Sequence, residues 1–600
     1  MSKYKKSQPV VTYDSSSEDE ECKIIPRDDQ ARHLKVILSI LDKFGFALNN
    51  SALSSGKSYI SMAVFKELKL KHIIYIGTLT MIEEIKELFE EFNVPTNHLY
   101  TFQSLRSIKN KQPKHGFLTR YDNPKTGDIT FEVTHKLHKL IKEGVLLIAD
   151  EIQYVRNDDS LQCIALAEIE KAIIEYKGTS KVMELSGLLG GKGEYYLNMC
   201  NRFRIIKNSK LSITHRDTGN TELLGAQELV DFCMNLNPIL TTQIIDNKPF
   251  KGKNVAEVCF DLYTEIVQDH ISDSMPPPKS SVNIDCKNGY YNLSSKDLTY
   301  LNRAIGNLDK ASGFDSNTGN INPKNTCWSM VTKSLRHIEI SKINIFISNA
   351  IKDLEANRRA KVCIGLNYNI SVDLISKALS KYGVLVLCGK VQGKKRKSIM
   401  KKFNEPNTLY RVLVANIKVV NCGIKLDDRN GNYPRFVYGS SSFFFIECHQ
   451  FSRRFVRGRE SLSNAKLRFV YGQITSLERS ILKALASHTE VCIRTSKKQV
   501  ENGVKFPGEY EDEINYSEEE CESYYDIGEI IKELYKNKGD NEEDSNLIAD
   551  FTCKKKIAKK KEPPPEIIFS SEDEAEEVVD KRPPPSVRRS PTLTRRRLLL

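Results

Sequence analysis

Several features are missing from this sequence, and each absence narrows the class of protein. The chain has no run of about 18 or more apolar residues, so we expect no membrane-spanning helix and no membrane partner. Residues 1–22 contain no apolar segment of the signal-peptide type, which argues against secretion. The fourteen cysteines include no CxxC pair, which disfavours a zinc ribbon and favours a reducing, intracellular compartment.

The remaining composition is that of a large folded chain with charged ends. Its length allows roughly three or four domains, and a hydrophobic content of 40% is enough for sizeable cores. Residues 1–22 form an acidic, serine-rich tail, and residues 497–600 are charged and largely disordered by composition. The basic run Lys554–Lys561 has two interpretations, a solvated linker or a nuclear-targeting or nucleic-acid-binding segment. The net charge of +13 permits a polyanionic partner.

Between the tails, short apolar strands alternate with amphipathic helices in two regions, residues 23–235 and 341–496. This alternation predicts an α/β fold with two parallel sheets that carry helices on both faces. Residues 236–340 contain SMPPPKSS and many Asn and Gly residues, and we interpret them as a connector or insertion between the two domains.

A candidate phosphate-binding loop lies in SALSSGKSYISMAV, residues 51–64. Gly56-Lys57-Ser58 precedes a helical run, so backbone N–H groups, a lysine and a hydroxyl would converge at a helix N-terminus. The full phosphate-loop pattern has glycine six residues before the lysine, where this chain has Ser51. A helix N-cap at Ser54 or Ser55 is the alternative interpretation of this stretch.

A second candidate element is GVLLIADEIQYVRN, residues 144–157, in which an apolar strand runs into Asp150-Glu151. The plain interpretation is a buried strand that ends in a polar turn. The functional interpretation is a strand that delivers one carboxylate to a metal and one to a water molecule. A fully apolar strand of a parallel sheet delivers its C-terminal residues to the edge where ligands bind, which favours the functional interpretation together with the upstream lysine loop.

Three further elements are weaker when each is taken alone. The amide of Gln30 could pair with both polar edges of adenine, although most glutamines simply lie at the surface. Ser186-Gly187 ends an apolar strand, where it could contact a nucleotide or form an ordinary turn. After another apolar strand comes an arginine-rich stretch that could contact ATP, contact a nucleic-acid backbone or form a solvated basic helix; it contains Arg453, Arg454, Arg457 and Arg459.

Taken in order, these elements resemble the motif series of superfamily 2 helicases over about residues 24–475. They look most like the helicase-like proteins of large cytoplasmic DNA viruses, of the poxvirus or iridovirus type, and of yeast cytoplasmic linear plasmids. The matching elements are Arg27…Gln30, Ser54…Gly56-Lys57-Ser58, IGTLT (76–80), TFQSLR (101–106), Asp150-Glu151-Ile152-Gln153, Ser186-Gly187, VLVANIKVVNCGIKL (412–426) and Gln450…Arg454…Arg457.

The resemblance implies two RecA-like domains that bind ATP and Mg²⁺ between them. It implies ATP binding by Gln30, Ser54, Ser55, Gly56, Lys57 and Ser58. It implies Mg²⁺ binding by Ser58 and Asp150, activation of the attacking water by Glu151, and contacts to the γ-phosphate by Gln450, Arg454 and Arg457. The resemblance implies six catalytic residues: Lys57, Asp150, Glu151, Gln450, Arg454 and Arg457.

The resemblance also implies residues that communicate between the domains and contact nucleic acid. Coupling of nucleotide state to the other domain would involve Gln153, Ser186, Gly187 and Gly423. Backbone contacts to nucleic acid would come from Thr78, Thr80, Ser104 and Asn416, and from the basic segment 389–403. The chain departs from the family pattern at Ser51, Ser54, Asn416, Arg453 and the SGLLGG segment that begins at Ser186.

Two hypotheses follow from these motifs. The first is an ATP-dependent translocase or helicase that acts on DNA or RNA without sequence specificity in viral-type transcription or replication, with RNA polymerase or other transcription factors as further partners. The second is a catalytically weakened scaffold that binds nucleic acid or polymerase without hydrolysing ATP. A viral protein of this kind would act in the host cytoplasm or the virion, whereas the basic C-terminal run would favour the nucleus.

Overall fold

A computed structural model of the chain describes residues 26–536 apart from short segments. The segments outside this description are residues 53, 107, 110–111, 114, 124, 126–127, 215–220, 249, 251–253, 277–279, 292–297, 300, 302–327, 392, 421–423, 473–475, 497–506, 508, 511–512 and 517–522. The predicted acidic tail at residues 1–22 and the basic run Lys554–Lys561 therefore both lie outside the described residues.

The first half of the chain builds a parallel sheet. The strands in this half of the chain are β1 Phe46–Asn49, β2 His72–Gly77, β3 Leu99–Thr101, β4 Ile108–Lys109, β5 Gln112–Pro113, β6 Leu118–Asp122, β7 Ile129–Val133, β8 Val145–Asp150, β9 Lys181–Leu185, β10 Ser212–Thr214, β11 Thr221–Leu223 and β12 Ser272–Asp273. Six of them form a sheet in the order β12-β1-β9-β8-β2-β3, and every neighbouring pair is parallel. The pairs β4–β5, β6–β7 and β10–β11 are antiparallel.

Helices cover both faces of this sheet. They are α1 Asp28–Phe44, α2 Lys57–Glu67, α3 Leu79–Glu91, α4 Phe102–Arg106, α5 His135–Glu143, α6 Leu161–Tyr176, α7 Gly193–Arg202, α8 Gly225–Leu236, α9 Pro238–Asn247, α10 Asn254–Leu262 and α11 Gln268–Ile271. Strand β8 shows why its sequence is apolar throughout: Leu146 and Ile148 pack in one core cluster, whereas Val145 and Leu147 pack in the cluster on the opposite face.

The second half of the chain builds another parallel sheet. Its strands are β13 Ile284–Tyr291, β14 Lys361–Leu366, β15 Val384–Leu387, β16 Val412–Asn416, β17 Arg435–Ser440, β18 Ala465–Gly472 and β19 Glu513–Tyr516, in the order β15-β16-β14-β17-β18-β13-β19. All neighbouring pairs are parallel. The helices are α12 Trp328–Ser341, α13 Ile343–Ala356, α14 Asn369–Ala378, α15 Gly393–Asn404, α16 Ile417–Val420, α17 Phe445–Ser452, α18 Ser476–Ser496 and α19 Ile527–Lys536. The predicted α/β class with two parallel sheets is confirmed.

The structure differs from the predicted boundaries in two places. The predicted connector, residues 236–340, contributes β12 to the first sheet and β13 to the second. Helix α10, also within residues 236–340, has apolar residues at helical spacing and packs in a core cluster of the first sheet. The proline run that follows it in the sequence obscured this pattern. Within the predicted tail, β19 extends the second sheet and α19 buries Ile527, Ile530 and Leu534, because these apolar residues recur at helical spacing among the charges.

The register of the first sheet aligns the carboxyl ends of three strands, β1, β9 and β8. Asn49 of β1 pairs with Leu185 of β9, and Leu185 pairs with Asp150 of β8. Because these strands are parallel, the segments that follow them leave the sheet side by side at its carboxyl edge. Among the described residues, none of the helices combines the length and apolar character needed to cross a membrane.

Candidate nucleotide site between the two sheets

The loop after β1 needs glycine at position 56. Gly56 has φ +100°, a left-handed backbone conformation, and it precedes the first residue of α2, Lys57. A Cβ atom placed on Gly56 would lie 2.3 Å from the side-chain nitrogen of Gln30, so a larger residue would have to displace that amide. The loop also holds Ser54 at φ +65°, a conformation that a non-glycine residue rarely adopts. Ser58 follows in the first turn of α2.

The Lys57 ammonium group turns back into this loop. Its Nζ donates hydrogen bonds to the backbone oxygens of Ser51, at 2.9 Å, and Ala52, at 3.1 Å. Burial lowers the pKa of Lys57, whereas the nearby carboxylates of Glu151 and Asp150 raise it. The lysine therefore lies inside the loop and within the field of both acidic residues.

Gln30 lies beneath the loop with both halves of its amide engaged. Its Nε2 donates to the Ser55 oxygen at 3.1 Å, and its Oε1 accepts from the Arg27 backbone N–H at 3.1 Å. Arg27 Nη2 donates to the same Ser55 oxygen at 3.1 Å, and the Ser55 hydroxyl donates to Ala52 O at 2.8 Å. These contacts join the start of α1 to the loop. Recognition of adenine by Gln30 stays a prediction.

Asp150 and Glu151 end β8 at the same edge. Asp150 is buried, and its two oxygens accept hydrogen bonds from the Tyr75 hydroxyl, at 2.7 Å, and from the Glu151 backbone N–H, at 2.8 Å. Burial and the neighbouring Glu151 charge raise the pKa of Asp150 to about 7, although the hydrogen bond from Tyr75 and the charge of Lys57 act in the opposite direction. Glu151 has φ +58°, so the chain turns sharply between the two carboxylates.

A chain of side-chain hydrogen bonds crosses from β9 to the second sheet through Glu151. The Ser186 hydroxyl donates to Gln153 Oε1 at 2.9 Å, and Gln153 Nε2 donates to Glu151 Oε2. Gln450 Nε2, from α17, donates to the same Glu151 oxygen at 3.0 Å. Gly187 is the next residue after Ser186, in a partly exposed bend. Of the predicted coupling residues, Gln153 contacts Glu151 directly and Ser186 contacts Gln153, whereas the connection to the second half of the chain runs from Glu151 to Gln450.

The two predicted catalytic arginines lie at the same junction. Arg457 Nε donates to the Ser54 hydroxyl, in the loop between β1 and α2, at 2.8 Å. Arg454 is 3% exposed and lies close enough to Lys57 to lower the pKa of that lysine. Burial lowers the pKa of Arg457 to about 10, so its guanidinium stays charged at neutral pH. Arg453 lies elsewhere, near Tyr510.

The residues at this junction fit a phosphate-bound Mg²⁺ and do not form a metal cage of their own. Among the described residues, no group of three or more His, Cys, Asp and Glu side chains is arranged to hold a metal. Mg²⁺ usually takes one or two protein ligands and completes its shell with water and phosphate oxygens, which Ser58 and Asp150 would match. Within the described part of the chain, Gln450 Oε1 is buried without a hydrogen-bond partner, as a group that faces a polar ligand would be.

The predicted nucleic-acid contacts lie at the carboxyl edges of both sheets, and they differ in exposure and in hydrogen bonding. Thr78 follows β2, and its buried hydroxyl has no hydrogen-bond partner among the described residues; Thr80 is partly exposed in α3. The Ser104 hydroxyl donates to Thr101 O at 2.6 Å. Asn416 ends β16, where its amide donates to Asn367 O at 3.0 Å.

Two other predicted elements complete this description. Gly423 lies outside the described residues. The basic segment 389–403 contains α15, and Lys397 of that helix forms an ion pair with Glu87 of α3 at 2.8 Å. This residue therefore contacts the first half of the chain directly.

Sequence reasoning missed one residue that the site uses, Tyr75. It lies in the middle of β2, is 1% exposed, and reads as an ordinary strand residue. Only the pairing of β2 with β8 brings its hydroxyl to Asp150. A buried tyrosine hydroxyl needs a partner, which is the single signal that the sequence offers.

Comparison with known proteins finds two similar solved structures. No family model matches the chain, and no curated protein matches it. It is similar to the Sulfolobus solfataricus SWI2/SNF2 ATPase core in complex with dsDNA, with 14% identity, 79% of this chain and 93% of that chain covered, and a TM-score of 0.27. It is also similar to the Pyrococcus furiosus Hef helicase domain, with 13% identity, 76% and 98% covered, and a TM-score of 0.35.

Proposed function

We propose that this chain is an ATPase of the superfamily 2 helicase type, in which ATP binds between the two sheets and its hydrolysis drives action on nucleic acid. One observation carries the proposal: Gln450 Nε2 of the second sheet's α17 lies 3.0 Å from Glu151 Oε2. The contact of Arg457 with Ser54 at 2.8 Å supports it independently. Two residues of the second half thus contact the acidic and phosphate-loop elements of the first.

Each residue has a chemical role in this proposal. Lys57 and the N-terminus of α2 would bind the β- and γ-phosphates, which are anions at a helix N-terminus. Ser58 and Asp150 would hold Mg²⁺, which neutralises phosphate charge when bound. Glu151 would accept the proton of the attacking water. The amides of Gln153 and Gln450, which both donate to Glu151 Oε2, would hold its carboxylate in place.

The arginines would complete the reaction. Arg454 and Arg457 would stabilise the charge on the transferring γ-phosphoryl group. Because they lie between α17 and β18 in the second half of the chain, hydrolysis would depend on how the two halves meet. Coupling of nucleotide hydrolysis to nucleic acid would involve Gln153, Ser186, Gly187 and Gly423. For the nucleic-acid contacts themselves we retain Thr78, Thr80, Ser104 and Asn416.

The raised pKa of Asp150 predicts a pH dependence for Mg²⁺ binding. A proton competes with the metal for this carboxyl group, so with a pKa of about 7 the apparent Mg²⁺ affinity should rise about tenfold from pH 6 to pH 8. Titration of Mg²⁺ into the protein with ADP at several pH values measures this. Tyr75→Phe removes a hydrogen bond that lowers the pKa, so the rise should move to higher pH. An affinity independent of pH over this range would contradict the assignment of Asp150.

Ser186→Ala tests the coupling chain. The variant loses the hydrogen bond to Gln153, so the ratio of nucleic-acid-stimulated to basal ATPase rate should fall at least about fivefold, the low end of typical coupling free energies. Ser180→Ala is the matched control, because Ser180 is also buried and precedes the same strand β9 at its other end. Equal stimulation ratios in the two variants would remove Ser186 from the coupling path.

ATPase rates with single-stranded DNA, duplex DNA and single-stranded RNA, measured in parallel, test the proposed function and identify the polymer. The proposal expects stimulation by at least one of them, irrespective of sequence. The scaffold alternative expects polymer binding without phosphate release; the non-glycine residue Ser54 in a left-handed loop conformation is the observation that favours it. A role in viral-type transcription or replication, with polymerase as partner, belongs to the same proposal.

A further inference from the structure

A buried polar cluster lies behind the phosphate loop and has no part in the roles assigned above. Its members come from three distant segments: His33 from α1, Ser51 from the loop and Asp273 from β12. His33 Nδ1 lies 2.7 Å from Asp273 Oδ2, and His33 Nε2 lies 3.5 Å from Ser51 Oγ. The His33 and Ser51 side chains are fully buried, whereas Asp273 is partly exposed.

The arrangement does not suit nucleophilic catalysis by Ser51, although serine, histidine and aspartate lie in a row. The Ser51 hydroxyl donates to Asn49 Oδ1 at 2.5 Å and accepts from the Met275 backbone N–H at 3.0 Å. With its proton directed at Asn49 and its oxygen fully buried, this hydroxyl is a structural connector. The role left for this cluster is structural: it holds the chain segments that it joins in place.

The same cluster fixes the start of the loop to the edge strand. Beyond the β1–β12 pairing, Asn50 N donates to Asp273 O at 3.0 Å, and Ala52 N donates to Met275 O at 3.2 Å. The sheet thus continues beneath residues 50–52. The side chains of His33 and Ser51 add a second connection between this edge and α1.

The residues held in this way are those that receive the lysine. Lys57 Nζ donates to the backbone oxygens of Ser51 and Ala52. The family pattern has glycine at position 51, and glycine could make none of the three side-chain contacts of Ser51. In this chain a serine connects the loop to a histidine–aspartate pair.

We propose that His33 and Asp273 are positioning residues for the nucleotide site. They act through Ser51 to hold the loop segment against which the Lys57 ammonium group is placed. This inference rests on the proposed function, because it concerns affinity for the triphosphate. It adds a specific requirement for His33 and Asp273, which the motifs do not include, and for serine at position 51.

The test is binding of a fluorescent, non-hydrolysable ATP analogue with Mg²⁺ to full-length variants, alongside their melting temperatures. His33→Ala should weaken binding about tenfold, the effect of losing one buried hydrogen-bonded contact. His33→Gln, whose amide nitrogen can take the place of the imidazole Nε2 toward Ser51 Oγ, should recover part of the affinity. His115→Ala is the control: His115 is also buried and hydrogen-bonded, to Leu105 O and Phe117 N, so it should lower stability without changing affinity.

A double-mutant cycle with Ser51→Gly isolates the proposed path. If His33 acts through the Ser51 hydroxyl, then His33→Ala should cost much less affinity in the Ser51→Gly background than in the wild type. Full affinity in His33→Ala, or the same loss in both backgrounds, would overturn the inference while leaving the ATPase proposal intact. If His33→Ala does not fold, Asp273→Asn in the same cycle gives the same comparison. A wild-type chain that does not bind the analogue would overturn both proposals.

Discussion

Lys57→Ala should abolish ATP hydrolysis, with a loss on the order of 100-fold or more, as expected when one preorganised charge at a phosphoryl-transfer site is removed. The ammonium group lies between the loop carbonyls of Ser51 and Ala52 and within the field of Asp150 and Glu151. Alanine leaves no cation there to offset the charge of the triphosphate. Phosphate release under saturating MgATP and nucleic acid measures the effect.

Lys66→Ala is the control for that variant, because Lys66 lies in the last turn of the same helix, α2, away from the loop. It should hydrolyse ATP like the wild type. A Lys57→Ala protein that also turned over at the wild-type rate would remove the loop from the catalytic site and leave Gly56-Lys57-Ser58 as an ordinary helix start.

Arg457→Ala should lower the hydrolysis rate by about a hundredfold or more, by analogy with other arginine fingers, while nucleotide affinity falls much less. A guanidinium that stabilises charge in transfer contributes more to the transition state than to the ground state. Arg457 lies against Ser54, and Arg454 lies near Lys57, so Arg454→Ala should behave in the same way. Single-turnover rates and nucleotide affinities, measured together, separate the two effects.

Arg453→Ala supplies the matched comparison from the same short stretch. Arg453 lies near Tyr510, Cys286 and Glu509, so its loss should affect hydrolysis less than loss of Arg454 or Arg457. The competing interpretation, a basic patch for nucleic acid, forecasts the reverse: polymer affinity would drop for all three variants and the basal ATPase rate would persist. That pattern would transfer Arg454 and Arg457 from the catalytic residues to the binding residues.

The sequence predicted the two parallel sheets because their strands are apolar throughout and alternate with amphipathic helices. The same logic placed Asp150 at a strand end, where the register with Leu185 and Asn49 aligns it with the start of the loop after β1. The proximity of Gln450 to Glu151 follows from no local pattern, because 299 residues separate them. Only the motif order suggested that these residues meet.

Other features were beyond the reach of local patterns. The proline run after Met275 suggested a connector, yet β12 beside it pairs with β1 and contacts the loop that follows β1. The hydrogen bond from the Gln30 amide to Ser55 O joins residues 25 positions apart, and recognition of adenine by this amide stays a prediction. In each case the deciding contact is long-range, and neither propensity nor periodicity encodes the partner.

The rate of phosphate release by the full-length wild-type chain tests the central claim most directly. It should be measured with MgATP, with and without saturating single-stranded DNA or RNA, against Lys57→Ala from a parallel preparation as the background. A cleft in which both sheets act on one nucleotide predicts wild-type release well above that background and a further increase with polymer. Release that stays at the Lys57→Ala level while the polymer binds would contradict it and leave a nucleic-acid-binding scaffold.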